Sequence, residues 1–259
     1  MQSLTYRALT VLSRLLKRCA PRTIFHLRDR LAAVLYHSIP LRKSLAREQL
    51  KAAFPEYSPQ RLDWVIRNLY RHFTGEFLNF IRLITGHWGS WELLAAWLGH
   101  HGYPTTAVAN RQSNRGANQF FREQRETGHI DHIYNKRGTG ALKQVLKSNR
   151  ILLLASDQDA RRNGVFVPFF GRPASTPRGG AVFHRRLGTP LIFGTCHATG
   201  WNTYTIRFAP LPVPDGASVT GIVQTYTALL EAAIRTHPEQ YFWFHRRWKT
   251  KPKSAQPED

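Results

Sequence analysis

The sequence predicts an α/β protein, with a single domain built on a central mixed sheet flanked by helices and preceded by amphipathic helices at the N-terminus. Two observations predict this class. Apolar runs of strand length alternate with helical patterns over much of the chain. The 259 residues, of which 42% are hydrophobic, are also enough to bury one large core. We expect amphipathic helices in residues 1–40, the globular domain in residues 41–250 and a disordered tail in residues 251–259.

The N-terminal segment, residues 1–40, is apolar on one side and basic around it. It contains no uncharged run of the roughly 20 residues that a membrane-spanning helix needs. Apolar residues recur at helical spacing, and these are Leu4, Ala8, Val11, Leu12, Leu15 and Leu16. Pro21 interrupts the pattern before a second helix. The pattern is typical of an interfacial membrane anchor and equally of a helical hairpin packed on the core, whereas the interspersed arginines argue against a cleavable signal peptide.

The globular part begins with a long helix. Ser58 and Pro59 supply an N-cap and a first-turn proline, and the apolar spacing that follows predicts a helix to about Phe80. Shorter elements are expected further along the chain: helix 91–98, strand 105–110, helix 114–127, strand 130–134, helix 138–150, buried strand 151–156, strands 189–198 and 203–209, and helix 219–239.

Charge and cysteine content restrict the function classes. Lys and Arg number 37 against 16 Asp and Glu, which gives a formal net charge of +21 and predicts attraction to nucleic acid, anionic lipid or acidic proteins. Cys19 and Cys196 lie in unrelated contexts, so neither a disulfide framework nor a zinc site is indicated, and a reducing compartment fits best. His129 and His132 would alternate to opposite faces of a strand. We therefore expect no metal site and no cofactor.

The stretch TGHWGSWELL, residues 85–94, places His87 five residues ahead of Glu92. A strand-like segment, roughly residues 83–85, gives way here to a helix that starts near Ser90. Five residues along a regular helix would put the two side chains on different faces, so they can meet only if His87 stands in the loop before the helix. The glycines on either side of His87 and Trp88 permit such a loop.

A histidine and a glutamate that meet in this way can activate an alcohol. The carboxylate of Glu92 would hold one ring N–H of His87, and the other ring nitrogen would take the proton of an attacking hydroxyl. No serine or cysteine nucleophile is needed for this chemistry. At this spacing the two residue types are more often unrelated, so the pattern needs support from the rest of the chain.

Further stretches supply that support, and together with residues 85–94 they follow one order: QLKAAFPEYS (49–58), NRQSN (110–114), SDQDARRNGVFVPFFGRPASTPRGGA (156–181) and YFWFHRRWKT (241–250). In this order they resemble the bacterial lipid A biosynthesis acyltransferases, the lauroyl and myristoyl transferases of the lysophospholipid acyltransferase superfamily. Gln49 stands where the family usually has asparagine.

The resemblance implies an acyltransferase domain in residues 41–250, which moves a fatty acyl chain from acyl carrier protein or acyl-CoA to a hydroxyl of a lipid A precursor. It implies that His87 and Glu92 are the catalytic dyad. The substrate-binding residues it implies are Arg111, Asn114, Asp157, Gln158 and Gly171. The expected partners are an acyl carrier protein thioester, a phosphorylated glycolipid and an anionic membrane surface. The expected location is the cytoplasmic face of the bacterial inner membrane, as a peripheral or monotopic protein.

The residues themselves are compatible with these roles and leave alternatives open. The planar fork of Arg111 suits phosphate, although a solvated surface arginine has the same sequence signature. Asp157 follows a predicted strand directly, where an aspartate also commonly caps a turn. The stretch VFVPFFG, residues 165–171, would form a hairpin or a wall of the acyl pocket, and ordinary core packing is the alternative.

Two other functions remain open. FLNFIRL, residues 77–83, runs directly into the catalytic motif, where family members usually have a further helix and a buried strand. This shortening leaves room for a catalytically impaired relative that binds lipid or carrier protein. YFWFHRRWKTKPK, residues 241–253, interleaves aromatic and basic residues as single-stranded nucleic-acid binders do. No nucleic-acid-binding module accompanies it, so nucleic acid is not an expected partner.

Overall fold

The structure is a computed structural model that describes residues 3–39, 41–82, 89–109, 111–134 and 138–252. The first elements are helical: α1 (Leu4–Arg18), α2 (Pro21–His37), α3 (Lys43–Ala53), α4 (Pro59–Arg82) and α5 (Trp91–His100). Strands and helices then alternate: β1 (Thr105–Ala109), α6 (Arg115–Thr127), β2 (Asp131–Tyr134), α7 (Gly138–Lys147) and β3 (Ile151–Leu153). The last part contains β4 (Val165–Phe169), β5 (Arg172–Thr176), α8 (Gly179–Leu187), β6 (Ile192–Gly200), β7 (Thr203–Pro210) and α9 (Val219–Thr236).

The predicted α/β class and the main helices are confirmed, and local capping explains where the helices begin. Ser58 Oγ accepts a hydrogen bond from the backbone N–H of Arg61 at 3.2 Å, ahead of α4. Asn114 Oδ1 accepts one from the N–H of Ala117 at 3.0 Å and caps α6. These side chains satisfy N–H groups that have no partner within the first turn of a helix.

The predicted central mixed sheet is wrong in detail, because the described strands form three separate small sheets. In the first sheet β1 lies between β2 and β3 and pairs in parallel with both. β4 and β5 form an antiparallel hairpin, and β6 pairs with β7. Helical crossovers separate the strands of the first sheet and allow parallel pairing, whereas the short turns after β4 and β6 favour local pairs.

The strand predicted over residues 151–156 is shorter and less buried than expected. It covers Ile151–Leu153 and lies beside β1 at one end of the described three-stranded sheet. Ile151 is 36% exposed. An apolar run is compatible with a strand covered on both faces, but none of the three residues of this end strand is buried.

The chain forms two compact units. The first contains Met1–Leu41, Arg67–Ala155 and Gly194–Phe208. One of its apolar clusters joins the N-terminal helices to α4 and α6, and its buried members are Leu16, Ile24, Leu78 and Phe120. Another packs α5 on β6 through Leu94, Leu98 and Cys196. The parallel sheet and the start of α5 therefore belong to one packed body.

The second unit contains Arg42–Ile66, Ser156–Phe193 and Ala209–Asp259. Its core is rich in aromatic side chains, and Tyr241 and Trp243 are 2% and 1% exposed. Arg247, also 2% exposed, donates hydrogen bonds to the carbonyl oxygen of Ser175 and to Thr176 Oγ1 at 2.7 and 2.6 Å. The aromatic residues of the 241–250 stretch that are buried in this way are not available for stacking on nucleic-acid bases.

Candidate active site

His87 lies outside the described residues, together with the strand predicted over 83–85, so the site is described from Gly89 onward. Gly89 has a φ of +56°, and a Cβ atom there would come within 1.9 Å of the Cys196 carbonyl oxygen. The backbone N–H of Ser90 donates to that same oxygen at 2.7 Å. Only glycine fits this close approach to β6, which explains one of the two glycines that flank the motif histidine.

Ser90 immediately precedes α5, as predicted, but its side chain does not cap the helix. Its hydroxyl instead donates a hydrogen bond to Oε2 of Glu76 on α4. Oε1 of Glu76 accepts a second hydrogen bond from Tyr204 Oη at 2.8 Å. Glu76 is 4% exposed and Ser90 is fully buried, so this bonded group lies inside the first unit.

Burial raises the pKa of Glu76 to about 7, although the hydrogen bonds from Ser90 and Tyr204 act in the opposite direction. The folded protein therefore binds a proton at Glu76 between pH 4.5 and 7, where an unfolded chain does not. Because the native state binds more protons, the stability that this group contributes is present below pH 4.5 and is lost as the pH rises through 7.

We expect Glu76→Gln to remove this pH dependence, since an amide resembles the protonated carboxyl. From pH 4.5 to pH 8 the free energy of unfolding of the variant should rise relative to wild type by about 3 kcal/mol. Urea unfolding at both pH values measures the difference. Glu126→Gln, at a carboxylate that is 55% exposed, is the matched control and should show no such trend. A constant difference between Glu76→Gln and wild type would contradict the protonated state of Glu76.

Glu92 lies in the first turn of α5 and is 7% exposed. The structure pairs it with Arg125 of α6, whose Nε lies 3.2 and 3.1 Å from the two carboxylate oxygens and whose Nη2 lies 2.8 Å from Oε1. The guanidinium fork fixes the plane of the carboxylate in a site largely removed from water. Oε2 accepts one of these bonds and Oε1 accepts two, so Oε2 keeps a lone pair with which the carboxylate can still accept a hydrogen bond from an imidazole N–H.

The sequence did not predict Arg125. It is one of 37 Lys and Arg residues, and it lies 33 positions from Glu92. The sequence predicts its helix only as a polar one. The sequence predicts that α6 precedes β2. It does not identify which arginine of α6 contacts α5.

The family-implied residues Arg111 and Asn114 lie at the opposite end of α6 from Arg125. Arg111 is exposed, whereas Asn114 caps the helix and also donates from Nδ2 to Thr5 Oγ1 at 3.3 Å. The 11 residues from Asn114 to Arg125 span about 16 Å along the axis. The structure therefore does not place the Asn114 side chain beside Glu92. The roles of Arg111 and Asn114 toward substrate remain predictions.

Asp157, Gln158 and Gly171 belong to the second unit. The backbone carbonyl of Asp157 accepts a hydrogen bond from Tyr241 Oη at 3.4 Å. Gly171 has a φ of +68° in the turn between β4 and β5, so the turn itself accounts for a glycine there. The hairpin predicted in residues 165–171 is confirmed as part of the β4–β5 pair. Substrate binding by these three residues remains a prediction.

The phenylalanines of the hairpin pack in the core of the second unit. Phe169 is fully buried and Phe170 is 6% exposed. Their ring centroids lie 4.8 Å apart, and Phe54 is 5.0 Å from Phe170. Core packing therefore accounts for these two side chains. Among the residues that the structure describes, no group of three or more His, Cys, Asp or Glu side chains could hold a metal ion.

Comparison with known proteins gives the family. The sequence model described as bacterial lipid A biosynthesis acyltransferase matches residues 79–250, which is more than half of the chain. The chain is 28% identical to a phosphatidylinositol mannoside acyltransferase of Mycobacterium tuberculosis over 170 residues, 62% of this chain and 52% of that protein. It thus spans about half the length of that relative.

Two Escherichia coli proteins are also similar to the chain. A lipid A biosynthesis palmitoleoyltransferase is 24% identical over 262 residues, which cover 86% of this chain and 84% of that protein. A lipid A biosynthesis lauroyltransferase is 32% identical over 129 residues, which cover 48% of this chain and 42% of that protein. The family match includes the start of α5, the Glu92–Arg125 pair and the β4–β5 hairpin. The chain belongs to the bacterial lipid A biosynthesis acyltransferase family.

Proposed function

We propose that the protein is an O-acyltransferase that moves a fatty acyl chain from an acyl carrier protein thioester, or from acyl-CoA, to a hydroxyl of a phosphorylated lipid A precursor. The observation that carries the proposal is the Glu92 carboxylate, held by Arg125 at the start of α5, five residues after the motif histidine. Family membership supports the same reaction class.

In the proposed reaction the Glu92 carboxylate accepts a hydrogen bond from one ring N–H of His87 and fixes its tautomer. The other ring nitrogen takes the proton from the acceptor hydroxyl as its oxygen attacks the thioester carbonyl carbon. A carbon–oxygen bond forms and the carbon–sulfur bond breaks. The proton then passes from His87 to the leaving sulfur. No acyl-enzyme intermediate is required.

The charge of the chain suits both substrates. The formal net charge of +21 raises the encounter rate with an acidic carrier protein and with a phosphorylated lipid. Arg111 is exposed and can present its guanidinium to a phosphate.

The surface of α1 supports a site at the membrane. The helix packs inward through Ser13 and Leu16, which are 5% and 4% exposed. Four other apolar side chains of the helix stay on the surface: Leu4, Val11, Leu12 and Leu15 are 85%, 54%, 39% and 56% exposed. Arg7, Arg14 and Arg18 are exposed on the same helix. Apolar side chains that are exposed next to arginines suit the interface of an anionic bilayer. Within the described ranges, no helix has the length and hydropathy needed to cross a bilayer.

We expect the double variant Val11→Glu/Leu15→Glu to bind vesicles of phosphatidylethanolamine and phosphatidylglycerol roughly 10- to 100-fold more weakly than wild type, because two apolar side chains no longer enter the interface. Vesicle co-sedimentation measures the affinity. Ile192→Glu replaces an apolar residue of β6 that is 64% exposed and should bind as wild type does. Equal binding by all three proteins would contradict an anchoring role for α1.

The activity is tested with a labelled acyl carrier protein thioester and a lipid A precursor in mixed micelles, with acyl-CoA as the competing donor. An ester-linked product detected by mass spectrometry supports the proposal. Binding of the precursor or carrier protein without turnover would indicate the catalytically impaired relative instead. Salt-sensitive binding of DNA without acyl transfer would favour the nucleic-acid function.

A further inference from the structure

The Glu76 carboxylate connects three elements of the first unit. It lies on α4, and it accepts hydrogen bonds from Ser90 at the start of α5 and from Tyr204 on β7. The side chain is 4% exposed, so it does not face solvent. A buried carboxyl group is costly unless it is hydrogen-bonded, and both oxygens of Glu76 are. Glu76 lies outside each stretch that carries the family resemblance.

The Ser90 side chain bonds to Glu76 and does not cap α5. A serine that precedes a helix normally accepts a hydrogen bond from an N–H of the first turn. The hydroxyl of Ser90 makes no such bond and donates to Glu76. Its backbone N–H donates to the Cys196 carbonyl oxygen at 2.7 Å. The side chain of Ser90 is thus hydrogen-bonded to α4, and its main chain is hydrogen-bonded to β6.

The position of residue 90 makes this anchoring relevant to chemistry. Ser90 follows His87 by three residues and precedes Glu92 by two. A movement of residue 90 changes the direction in which the first turn of α5 presents Glu92. A misplacement of about 1 Å can lower the rate of a reaction by about 100-fold.

We propose that Glu76 is a positioning residue of the transferase: through its hydrogen bond with Ser90 it fixes the start of α5 and so sets the placement of the Glu92 carboxylate. Glu76 acts through Ser90 and does not contact substrate. The inference rests on the proposed function, because it takes His87 and Glu92 as the reacting pair. Tyr204 holds the other oxygen of Glu76 and keeps the carboxylate turned toward Ser90.

Steady-state kinetics in mixed micelles test the proposal. Glu76→Ala should lower kcat by about 10- to 100-fold and leave KM for donor and acceptor within about threefold of wild type, since placement is lost and binding is kept. Glu76→Gln should keep kcat within about threefold, because its amide can donate to Ser90 Oγ and accept from Tyr204 Oη. The double variant Glu76→Ala/Ser90→Ala should be no slower than Glu76→Ala, because both changes remove one contact. Wild-type kcat in Glu76→Ala, or additive losses in the double variant, would overturn the proposal.

Leu98→Ala separates positioning from general destabilisation. Leu98 lies on α5 in the apolar core with Leu94 and Cys196 and is 6% exposed. The Tm of Leu98→Ala should be lowered at least as much as that of Glu76→Ala. When each variant is assayed about 20 degrees below its own Tm, Leu98→Ala should keep a kcat close to that of wild type. A loss of kcat equal to that of Glu76→Ala would show that destabilisation alone explains the effect.

Hydrogen exchange without substrate gives a readout that does not depend on turnover. Glu76→Ala should speed exchange of the Ser90 amide about tenfold or more, and leave exchange in α9 unchanged. If His87→Ala transfers acyl chains at the wild-type rate, the proposed function fails whatever the exchange shows. If His87→Ala is inactive while Glu76→Ala keeps wild-type kcat and exchange, only the positioning role of Glu76 fails.

Discussion

His87→Ala is expected to lower the kcat of acyl transfer by about 100- to 10,000-fold, because the acceptor hydroxyl loses the base that takes its proton. KM for both substrates should change little, since the imidazole acts on the transition state more than on substrate binding. Glu92→Gln should lower kcat by about tenfold or more, because an amide neither stabilises the imidazolium nor pairs with Arg125. Initial rates with the carrier protein thioester measure both effects.

The matched control is His101→Ala. His101 follows α5, is exposed and stacks on Trp97 with ring centroids 4.1 Å apart. It should keep the wild-type rate and show that the loss belongs to position 87. Equal rates for wild type, His87→Ala and Glu92→Gln would refute the proposed roles of the dyad.

Arg125→Ala is expected to affect both stability and rate. It leaves the Glu92 carboxylate, 7% exposed, without the guanidinium that pairs with it. Removing one partner of a buried ion pair costs about 3 to 5 kcal/mol in the free energy of unfolding, and the exposure of 14% at Arg125 places this pair near the lower end. The variant should also have a kcat about 10- to 100-fold lower than wild type, because the Glu92 carboxylate can then rotate away from the orientation that the reaction needs. Urea unfolding and initial rates measure the two losses.

Arg122→Ala is the control on the same helix. Arg122 pairs with Glu126 at 3.5 Å, and both side chains are about half exposed, at 48% and 55%. Its loss should cost less than about 1 kcal/mol and leave kcat unchanged. An Arg125→Ala variant as stable and as active as Arg122→Ala would contradict the view that Arg125 orients Glu92.

The helices could be predicted because their signals are local. Ser58 and Asn114 each cap a helix within three residues, and the apolar spacing of α4 continues without interruption. The sequence also predicts the start of α5 near Ser90, although the Ser90 hydroxyl bonds to Glu76 and does not cap the helix. The division of the strands into three sheets could not be predicted, because pairing depends on contacts between distant segments, such as Thr105 on β1 with Ile151 on β3.

The candidate site could be predicted only in part. The motif identifies Glu92, but the partner that fixes it lies 33 residues away, and the carboxyl that holds Ser90 lies 14 residues before it. Neither Arg125 nor Glu76 differs in the sequence from other charged residues of amphipathic helices. Their burial and their partners distinguish them, and both properties arise only when the helices pack.

Two family-implied residues also have structural explanations. Asn114 caps α6, and Gly171 adopts a left-handed turn between β4 and β5. A family pattern can keep an asparagine or a glycine at such positions for the fold alone. Substitution at these two positions would therefore change folding as well as substrate binding, and their effect on rate has to be compared at matched stability.

The central claim is that the ring of His87 is oriented by Glu92 and is open to a lipid hydroxyl. The most direct test measures the distance from the His87 ring nitrogens to the Glu92 carboxylate oxygens in a crystal structure of the protein with a glycolipid acceptor. We expect one ring nitrogen of His87 within about 3.2 Å of a Glu92 oxygen, and the other facing the acceptor hydroxyl. A ring that points away from Glu92, or that is enclosed by packed side chains with no groove beside it, would contradict the account.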